Sequence, residues 1–166
     1  KLQTSKWMRP PSNTAPTQAK AAGLYMICTL SKHAAEKNGF DDSLMLDSKG
    51  YVAESTGANI FYVKKNKLYT PIADCFLNGI TRKTVISIAK KNNIKILEKI
   101  LYPKDLLKAE EIFLTGTAVE ITPVSQIDNK KYRHNHQACQ AYDHEYISFP
   151  YLFTSAIRRR IEPISK

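Results

Sequence analysis

The chain has 166 residues, of which 43% are hydrophobic and 24% are charged, and this composition is typical of a globular protein. The length is enough for one domain whose core buries roughly two-thirds of the unfolded surface. The net charge of +10 at pH 7 first suggests nucleic-acid binding. The lysines are scattered at predicted turns and helix ends, however, and there is no arginine-rich recognition helix. A generally basic surface is the better interpretation, and we expect no nucleic-acid partner.

The cysteines and histidines do not form a convincing metal or disulfide motif. Cys28, Cys75 and Cys139 are far apart and contain no CxxC pair, which suits a reducing, cytoplasmic location. His134-x-His136 could be a pair of metal ligands, but no acidic or cysteine residue lies at a matching spacing. The sequence therefore favours a solvated tail over a metal site. We expect no metal site.

The apolar runs of the sequence indicate whether it spans a membrane, and its first residues indicate whether it is a fragment. No apolar run approaches the about 20 residues of a membrane span, and no membrane partner is expected. The chain starts without Met, in what reads as the end of a strand. This start predicts a fragment or a degraded reading frame.

The first half of the chain predicts one helix followed by short strands. Residues 1–15 are expected to be a strand end and an irregular loop. Apolar residues at helical spacing predict a helix over residues 18–37, with Lys20 in its first turn and Asn38-Gly39 at its end. A β-meander of about four strands follows, over residues 43–46, 51–54, 59–63 and 67–70.

The second half predicts a second helix and several more strands. Thr81 is a good N-cap for this helix, whose apolar stripe ends at Asn92-Asn93. Pro103 suits the first turn of a short helix that ends near residue 108. The remaining predicted segments are strands over residues 94–100, 111–114 and 121–124, with a tight loop over residues 115–118.

Lys20 stands out because of the residues around it. Small and apolar residues surround it, and no carboxylate lies within ten positions on either side. A lysine in an apolar pocket loses hydration in its charged form, so its pKa falls and the amine becomes a nucleophile toward carbonyl groups. Taken alone, these residues favour the simpler alternative of a surface lysine at the start of a helix.

Three further segments carry groups that complement such a lysine. Glu54 places a carboxylate at a strand end, residues 78–82 (NGITR) offer N–H groups at a helix N-terminus, and residues 115–118 (TGTA) form a turn that can donate N–H groups. An exposed glutamate, a plain helix cap and an ordinary turn are the respective alternatives. Together the groups would suit pyridoxal phosphate, with its aldehyde on the lysine, its ring nitrogen on the carboxylate and its phosphate on the helix.

Four motifs in order resemble the branched-chain amino acid aminotransferases, which are fold-type-IV pyridoxal-phosphate enzymes. The motifs are NTAPTQAKAAGLY (13–25), ESTGANIF (54–61), GITR (79–82) and TGTAVEITPV (115–124). D-amino acid aminotransferases and aminodeoxychorismate lyases share the lysine, the glutamate and GITR. The spacing from Lys20 to Gly23 to Tyr25, after Asn-Thr-x-Pro-Thr, resembles the branched-chain group more closely.

The resemblance implies roles for the residues around the cofactor ring. Lys20 matches the lysine that holds the cofactor aldehyde and then moves the proton of the reaction. Tyr25 matches the tyrosine that donates a hydrogen bond to the phenolate oxygen of the cofactor. Glu54 matches the acid that keeps the pyridine nitrogen protonated.

The resemblance also implies roles in binding the phosphate and the substrate. Ile80 and Thr81 match the helix start that binds the cofactor phosphate. Thr117 and Ala118 match the loop that contributes to the substrate carboxylate, and Thr117 also to the phosphate.

The fold and reaction implied by the resemblance are those of a cofactor-binding large domain. We expect a mixed α/β fold with a curved, barrel-like sheet flanked by helices over residues 1–128, without the small N-terminal domain of the family. The implied reaction transfers the amino group of L-Leu, L-Ile or L-Val to 2-oxoglutarate, and the full-length family form is a homodimer. The alternatives are a related fold-type-IV enzyme, an inactive remnant, and a basic domain that only binds anions.

The sequence changes character near its end. The resemblance stops abruptly after residue 128, and residues 129–166 contain three histidines, several tyrosines and Arg158-Arg159-Arg160 without a 3.6-residue apolar stripe. Because point substitutions scatter along a chain, one sharp boundary predicts a shifted reading frame from about residue 131 onward. We therefore expect a divergent, poorly packed tail.

Overall fold

A computed structural model of the chain describes residues 1–132, which form ten strands, three α-helices and a short 3-10 helix (Ala22–Leu24). The strands are β1 (Leu2–Arg9), β2 (Asp42–Asp47), β3 (Val52–Ser55), β4 (Asn59–Lys64), β5 (Lys67–Pro71), β6 (Ile96–Lys99), β7 (Glu111–Gly116), β8 (Glu120–Pro123), β9 (Gln126–Ile127) and β10 (Lys130–Lys131). The helices are α1 (Met26–Lys37), α2 (Ile80–Lys91) and α3 (Pro103–Leu106).

The strands form two five-stranded sheets. The first has the order β10-β9-β1-β2-β3 and the second the order β6-β5-β4-β7-β8. β1 pairs with β2 in parallel, which requires the crossover that α1 supplies, whereas β2–β3, β4–β5 and β4–β7 are antiparallel. Together the sheets make a curled half-barrel with few helices, so the predicted mixed α/β fold with a curved sheet and flanking helices is confirmed.

Two apolar clusters hold the layers together. One contains residues of both sheets and includes Leu44, Ile60, Ile112 and Leu114, all of them buried. The other packs α2 against the second sheet, and its members are Phe61, Val63, Leu68, Val85, Ile86, Ala89, Ile94 and Phe113. Adjacent residues of β4 thus belong to different clusters, because successive side chains of a strand point to opposite faces. This double burial explains why β4 reads as a continuous apolar run.

The predicted helix stops are confirmed, but the predicted start of the first helix is wrong. Gly39 follows α1 with a φ of +78°, and the Phe40 N–H donates to the Ala35 carbonyl oxygen at 3.0 Å. Asn93 plays the same part after α2 with a φ of +54°. α1 begins only at Met26, so Lys20 lies in the loop before the 3-10 helix and not in a helical first turn.

The predicted four-strand meander is also wrong in its connectivity. β2 and β3 form one antiparallel pair and β4 and β5 another, but the two pairs lie in different sheets. A tight turn in which the Ser55 N–H donates to the Ala58 carbonyl oxygen at 2.8 Å carries the chain between them. A period-two pattern identifies strands but does not say which of them pair.

The predicted tail lies almost entirely outside the described residues. Its first residues are described: β10 pairs with β9, and Tyr132 is buried in the cluster between the sheets. His134, His136 and the rest of the tail, for which poor packing is predicted, lie outside the described residues. Within residues 1–132 no helix is long and apolar enough to span a membrane, and no cluster of metal-ligating side chains occurs.

Candidate functional site

The centre of the candidate site is the carboxylate of Glu54, which is buried at the end of β3. Glu54 Oε1 lies 3.3 Å from Arg9 Nε, and Glu54 Oε2 accepts a hydrogen bond of 3.2 Å from Asn59 Nδ2. Burial raises the pKa of Glu54 to about 8; Arg9 acts against this shift and Asp42 adds to it. Because perturbed pKa values cluster at functional sites, the buried Glu54 carboxyl group beside Arg9 is a candidate site residue.

Arg9 is a buried cation that organises the surroundings of Glu54. Its Nη1 donates to the Leu24 carbonyl oxygen at 3.0 Å and to Cys28 Sγ at 3.2 Å, and its Nε donates to the Cys75 carbonyl oxygen at 3.3 Å. It therefore ties the end of β1 to the start of α1 and to the segment that precedes α2. These partners hold the buried guanidinium at ion-pair distance from the Glu54 carboxylate.

Tyr25 lies next to this ion pair. The guanidinium carbon of Arg9 is 6.0 Å from the centroid of the Tyr25 ring, which is within reach of a cation–π contact. Burial and the nearby Glu54 raise the pKa of Tyr25, and Arg9 acts in the opposite direction. The hydroxyl group of Tyr25 therefore stays protonated at neutral pH and is available as a hydrogen-bond donor.

Asn59 connects Glu54 to the start of α2. Besides its bond to Glu54, Asn59 Nδ2 donates to the Leu77 carbonyl oxygen at 3.0 Å, and Asn59 Oδ1 accepts from the Gly79 N–H at 3.2 Å. Gly79 is the N-cap of α2, and no side chain caps this helix by a hydrogen bond. The first N–H groups of α2 therefore have no intrahelical acceptor and can bind an anion.

The N-cap prediction for Thr81 is wrong. The helix begins at Ile80, after Gly79 with extended backbone angles of −62° and 153°, so Thr81 lies within the first turn. Glycine is an acceptable N-cap, and the Asn59 side chain occupies the space beside it. The side chain of Ile80 is 81% exposed, so only the backbone N–H of this residue can contribute to an anion site.

The segment that carries Lys20 is fixed against the residues that lead into α2. Thr17 Oγ1 donates to the Asp74 carbonyl oxygen at 2.6 Å, and Gln18 Nε2 donates to the carbonyl oxygens of Ala73 and Phe76. Gln18 Oε1 also accepts from the Asn78 N–H at 3.4 Å. Lys20 thus follows a segment that lies beside the start of α2.

The expected apolar pocket around Lys20 is not present. Its side chain is exposed, and its amino group has no hydrogen-bond or ion-pair partner within residues 1–132. Small and apolar neighbours in sequence do not bury a side chain when the segment runs along the surface as a loop.

The loop of Thr117 and Ala118 lies at the same end of the second sheet. β7 places Thr115 opposite Asn59, and a Cβ atom on Gly116 would approach Val119 Cγ2 at 3.3 Å and the Gly57 carbonyl oxygen at 3.5 Å. The turns before β4 and after β7 are therefore packed together. Thr117 and Ala118 themselves are exposed, so their loop can contribute to a binding surface.

Known proteins resemble this chain over most of its length. The family model for amino-transferase class IV matches residues 1–127. The chain belongs to the class IV aminotransferases. It is 43% identical to the probable branched-chain-amino-acid aminotransferase of Rickettsia bellii over 148 residues, which cover 87% of this chain and 51% of that protein. It is 40% identical to the branched-chain-amino-acid aminotransferase of Pseudomonas aeruginosa over 131 residues, which cover 79% of this chain and 43% of that protein.

Solved structures of aminotransferases share the fold. The branched-chain aminotransferase of Thermoproteus uzoniensis with norvaline superposes with a TM-score of 0.78 at 39% identity, covering 81% of this chain and 46% of that one. An aminotransferase from Brucella abortus bound to the cofactor PLP gives a TM-score of 0.77 at 32% identity, covering 84% of this chain and 51% of that one. The chain therefore spans about half the length of the relatives that it matches.

The sequence did not predict the individual roles of three residues in the candidate site of this class IV aminotransferase. Arg9 precedes Pro10-Pro11, and nothing local indicates that its side chain is buried. Asn59 had a recognisable signal, since it is the polar first residue of an otherwise apolar run in β4. Gly79 lies within the GITR motif, but only the contact with Asn59 shows what its missing side chain permits.

The raised pKa of Glu54 predicts that the stability of this class IV aminotransferase falls with rising pH. The folded chain keeps the carboxyl proton up to a pH of about 8, whereas the unfolded chain releases it near 4.5. Stability from this group is therefore fully present below 4.5 and is lost as the pH rises through about 8. The total loss is on the order of a few kcal/mol, since one pKa unit corresponds to about 1.4 kcal/mol.

Urea unfolding at pH 5, 7 and 9 measures this effect. We expect the Glu54→Gln variant to show a flatter pH dependence than the natural chain, while Glu36→Gln, an exposed position on α1, should leave the dependence unchanged. Parallel pH profiles for the natural chain and Glu54→Gln would show that Glu54 ionises normally.

Proposed function

We propose that this chain is the cofactor-binding part of a branched-chain amino acid aminotransferase. The reaction is the transfer of the amino group of L-Leu, L-Ile or L-Val to 2-oxoglutarate, with pyridoxal 5′-phosphate as cofactor. The observation that carries the proposal is the buried Glu54 carboxylate, joined through Asn59 to the uncapped start of α2. One ligand with a basic ring nitrogen and a phosphate group matches both ends of this arrangement.

The residues present fit pyridoxal 5′-phosphate. Glu54 would hold the ring nitrogen, the N–H groups of Ile80 and Thr81 would hold the phosphate, and Lys20 would carry the aldehyde carbon. When bound, the cofactor supplies an electron sink that stabilises negative charge on the substrate Cα atom.

The remaining roles follow from what each group can donate or accept. Tyr25 has a protonated hydroxyl group beside Arg9 and would donate a hydrogen bond to the phenolate oxygen of the cofactor. The exposed turn with Thr117 and Ala118 would supply N–H groups to the substrate carboxylate, and Thr117 also to the phosphate. Lys20, with an exposed amino group, would move the proton between the substrate Cα and the cofactor.

The choice of branched-chain substrates rests on the relatives. The Rickettsia bellii and Pseudomonas aeruginosa proteins carry the branched-chain aminotransferase name, at 43% and 40% identity. The Lys-Ala-Ala-Gly-Leu-Tyr spacing supports the same choice. Such an enzyme would act in branched-chain amino acid biosynthesis.

The wider setting of the chain is part of the same proposal. We place the protein in the cytoplasm, in keeping with the buried, unbridged Cys28 and Cys75. The full-length form would be a homodimer, with small-molecule amino acids and 2-oxo acids as its partners and without nucleic-acid or membrane binding. Residues 1–128 would be the large domain and residues 129–166 a divergent tail.

A spectroscopic single-turnover assay tests the proposed function. The 166-residue chain is loaded with pyridoxal 5′-phosphate, and the absorption of the bound cofactor is followed after addition of L-leucine, L-isoleucine or L-valine. We expect conversion of the bound cofactor to its amine form, with one equivalent of the corresponding 2-oxo acid released. Subsequent addition of 2-oxoglutarate should restore the original spectrum and yield glutamate.

Other amino donors separate the alternatives. Reaction with D-alanine in place of the L-amino acids would identify a D-amino acid aminotransferase. Release of pyruvate from aminodeoxychorismate would identify a lyase. A chain that binds inorganic phosphate but produces no spectrum of bound cofactor would be an anion-binding remnant.

A further inference from the structure

The Asn59 side chain makes three hydrogen bonds that join separate parts of the site. Its amide nitrogen donates to Glu54 Oε2 at 3.2 Å and to the Leu77 carbonyl oxygen at 3.0 Å, and its amide oxygen accepts from the Gly79 N–H at 3.2 Å. The residue is buried. Because its donors and its acceptor are all used, the orientation of the amide is fixed.

The contact with Gly79 leaves no room for a Cβ atom while the Asn59 side chain keeps its position. A Cβ atom on Gly79 would lie 2.6 Å from Asn59 Oδ1, so the asparagine would have to move. The backbone of Gly79 is extended, with a φ of −62°, which an alanine also adopts readily. The glycine is therefore required by the Asn59 side chain and not by the backbone conformation.

We infer that Asn59 is a positioning residue that sets the distance and orientation between the Glu54 carboxylate and the N–H groups at the start of α2. The inference rests on the proposed function, in which one cofactor binds at both places. Without Asn59, the Glu54 carboxylate could still bind the ring nitrogen and the start of α2 could still bind the phosphate. The distance and orientation between these two groups would no longer be fixed to match a single rigid ligand. Binding energy then depends on how much ordering the ligand itself must impose.

This role distinguishes Asn59 from a purely structural polar residue. Substitution of a purely structural residue would weaken the binding of every ligand in proportion to the loss of folded protein. Substitution of a positioning residue weakens the binding of a ligand that spans both ends far more than the binding of a ligand that uses one end. Its effect also disappears when the Glu54 carboxylate is already absent, because both changes act through the same contact.

The first test measures the link without any ligand. Gly79→Ala should lower the Tm by about 4 °C or more in the natural chain, and by less than half of that amount in the Asn59→Ala background, where the clashing oxygen is gone. Asn59→Ser keeps a small polar group and serves where Asn59→Ala folds poorly. Equal losses in both backgrounds would overturn the inference, whatever the fate of the proposed function.

The second test measures binding of three probes to the full 166-residue chain, namely pyridoxal 5′-phosphate, pyridoxal and inorganic phosphate. We expect Asn59→Ala to weaken the binding of pyridoxal 5′-phosphate about ten- to a hundredfold and the binding of inorganic phosphate less than about threefold. The reason is that pyridoxal 5′-phosphate spans both ends of the site and inorganic phosphate does not. Glu54→Gln combined with Asn59→Ala should bind pyridoxal 5′-phosphate within about twofold of the weaker single variant. Asn92→Ala, at the far end of α2, is the control and should change none of the affinities.

The outcomes separate the two proposals. If the natural chain binds pyridoxal 5′-phosphate no more tightly than inorganic phosphate, the proposed function fails and the inference fails with it. If the natural chain binds the cofactor but the effects of Glu54→Gln and Asn59→Ala multiply, only the inference is overturned. Parallel losses for all three probes in Asn59→Ala would likewise assign Asn59 a structural role.

Discussion

Borohydride reduction of the chain loaded with pyridoxal 5′-phosphate is expected to label Lys20 in preference to every other lysine. Lys20 is exposed, so its selectivity cannot come from an apolar pocket. It comes instead from the position of the aldehyde, which Glu54 and the start of α2 would hold next to the lysine segment. Holding two reacting groups together replaces a bimolecular encounter by a local one, and such effective concentrations are very large.

Peptide mapping after reduction measures this prediction. Lys20→Ala should remove the labelled peptide and abolish transamination, while cofactor binding persists in weaker form. Lys32→Ala, an exposed lysine on α1, should leave labelling and turnover unchanged. Label spread over many surface lysines, with an unchanged total in Lys20→Ala, would contradict the assignment.

The second large effect is expected for Glu54→Gln, which should slow transamination about ten- to a hundredfold. A charge-assisted hydrogen bond to the ring nitrogen is worth roughly 1.5–3 kcal/mol, and about 1.4 kcal/mol corresponds to a factor of ten in rate. The amide keeps the size of the side chain but cannot balance a positive charge on the ring. The electron sink is therefore weakened more than the fold.

Stability must be measured alongside rate, because the substitution also changes two contacts in the protein. A glutamine amide nitrogen would face either Asn59 Nδ2 or Arg9 Nε, and both of these are donors. Urea unfolding of Glu54→Gln at pH 7 should nevertheless show a smaller fractional change than the rate, since the glutamine is neutral, like the protonated Glu54 side chain of the cofactor-free chain at this pH. The exposed control Glu36→Gln should change neither quantity. A loss of rate that only parallels a loss of folded protein would make Glu54 a structural residue.

Both predictions depend on a site assembled from four separate segments. The segment that carries Lys20 contacts the residues before α2. The start of α2 contacts Asn59, and Asn59 contacts Glu54. The turn of Thr117 packs against the turn that precedes Asn59. A substitution at any one of these contacts is therefore expected to affect the other contacts. The effects of neighbouring substitutions on stability and binding should not be additive.

Much of the local structure was determined by the sequence itself. Apolar periodicity identified α2 and β4, and Gly39 and Asn93 identified the ends of α1 and α2, because these signals depend on backbone conformations within a few residues. The four motifs also carried the family resemblance, which the class IV match over residues 1–127 bears out.

Only the tertiary structure decided which residues meet. Arg9 and Glu54 are far apart in the sequence, and their buried ion pair has no local signal at either position. The exposure of Lys20 and the division of the strands into two sheets were equally out of reach, since burial and pairing depend on how distant segments pack. The same reason applies to Asn59: the sequence places it at the start of a buried strand, but only the folded chain brings its amide between Glu54 and Gly79.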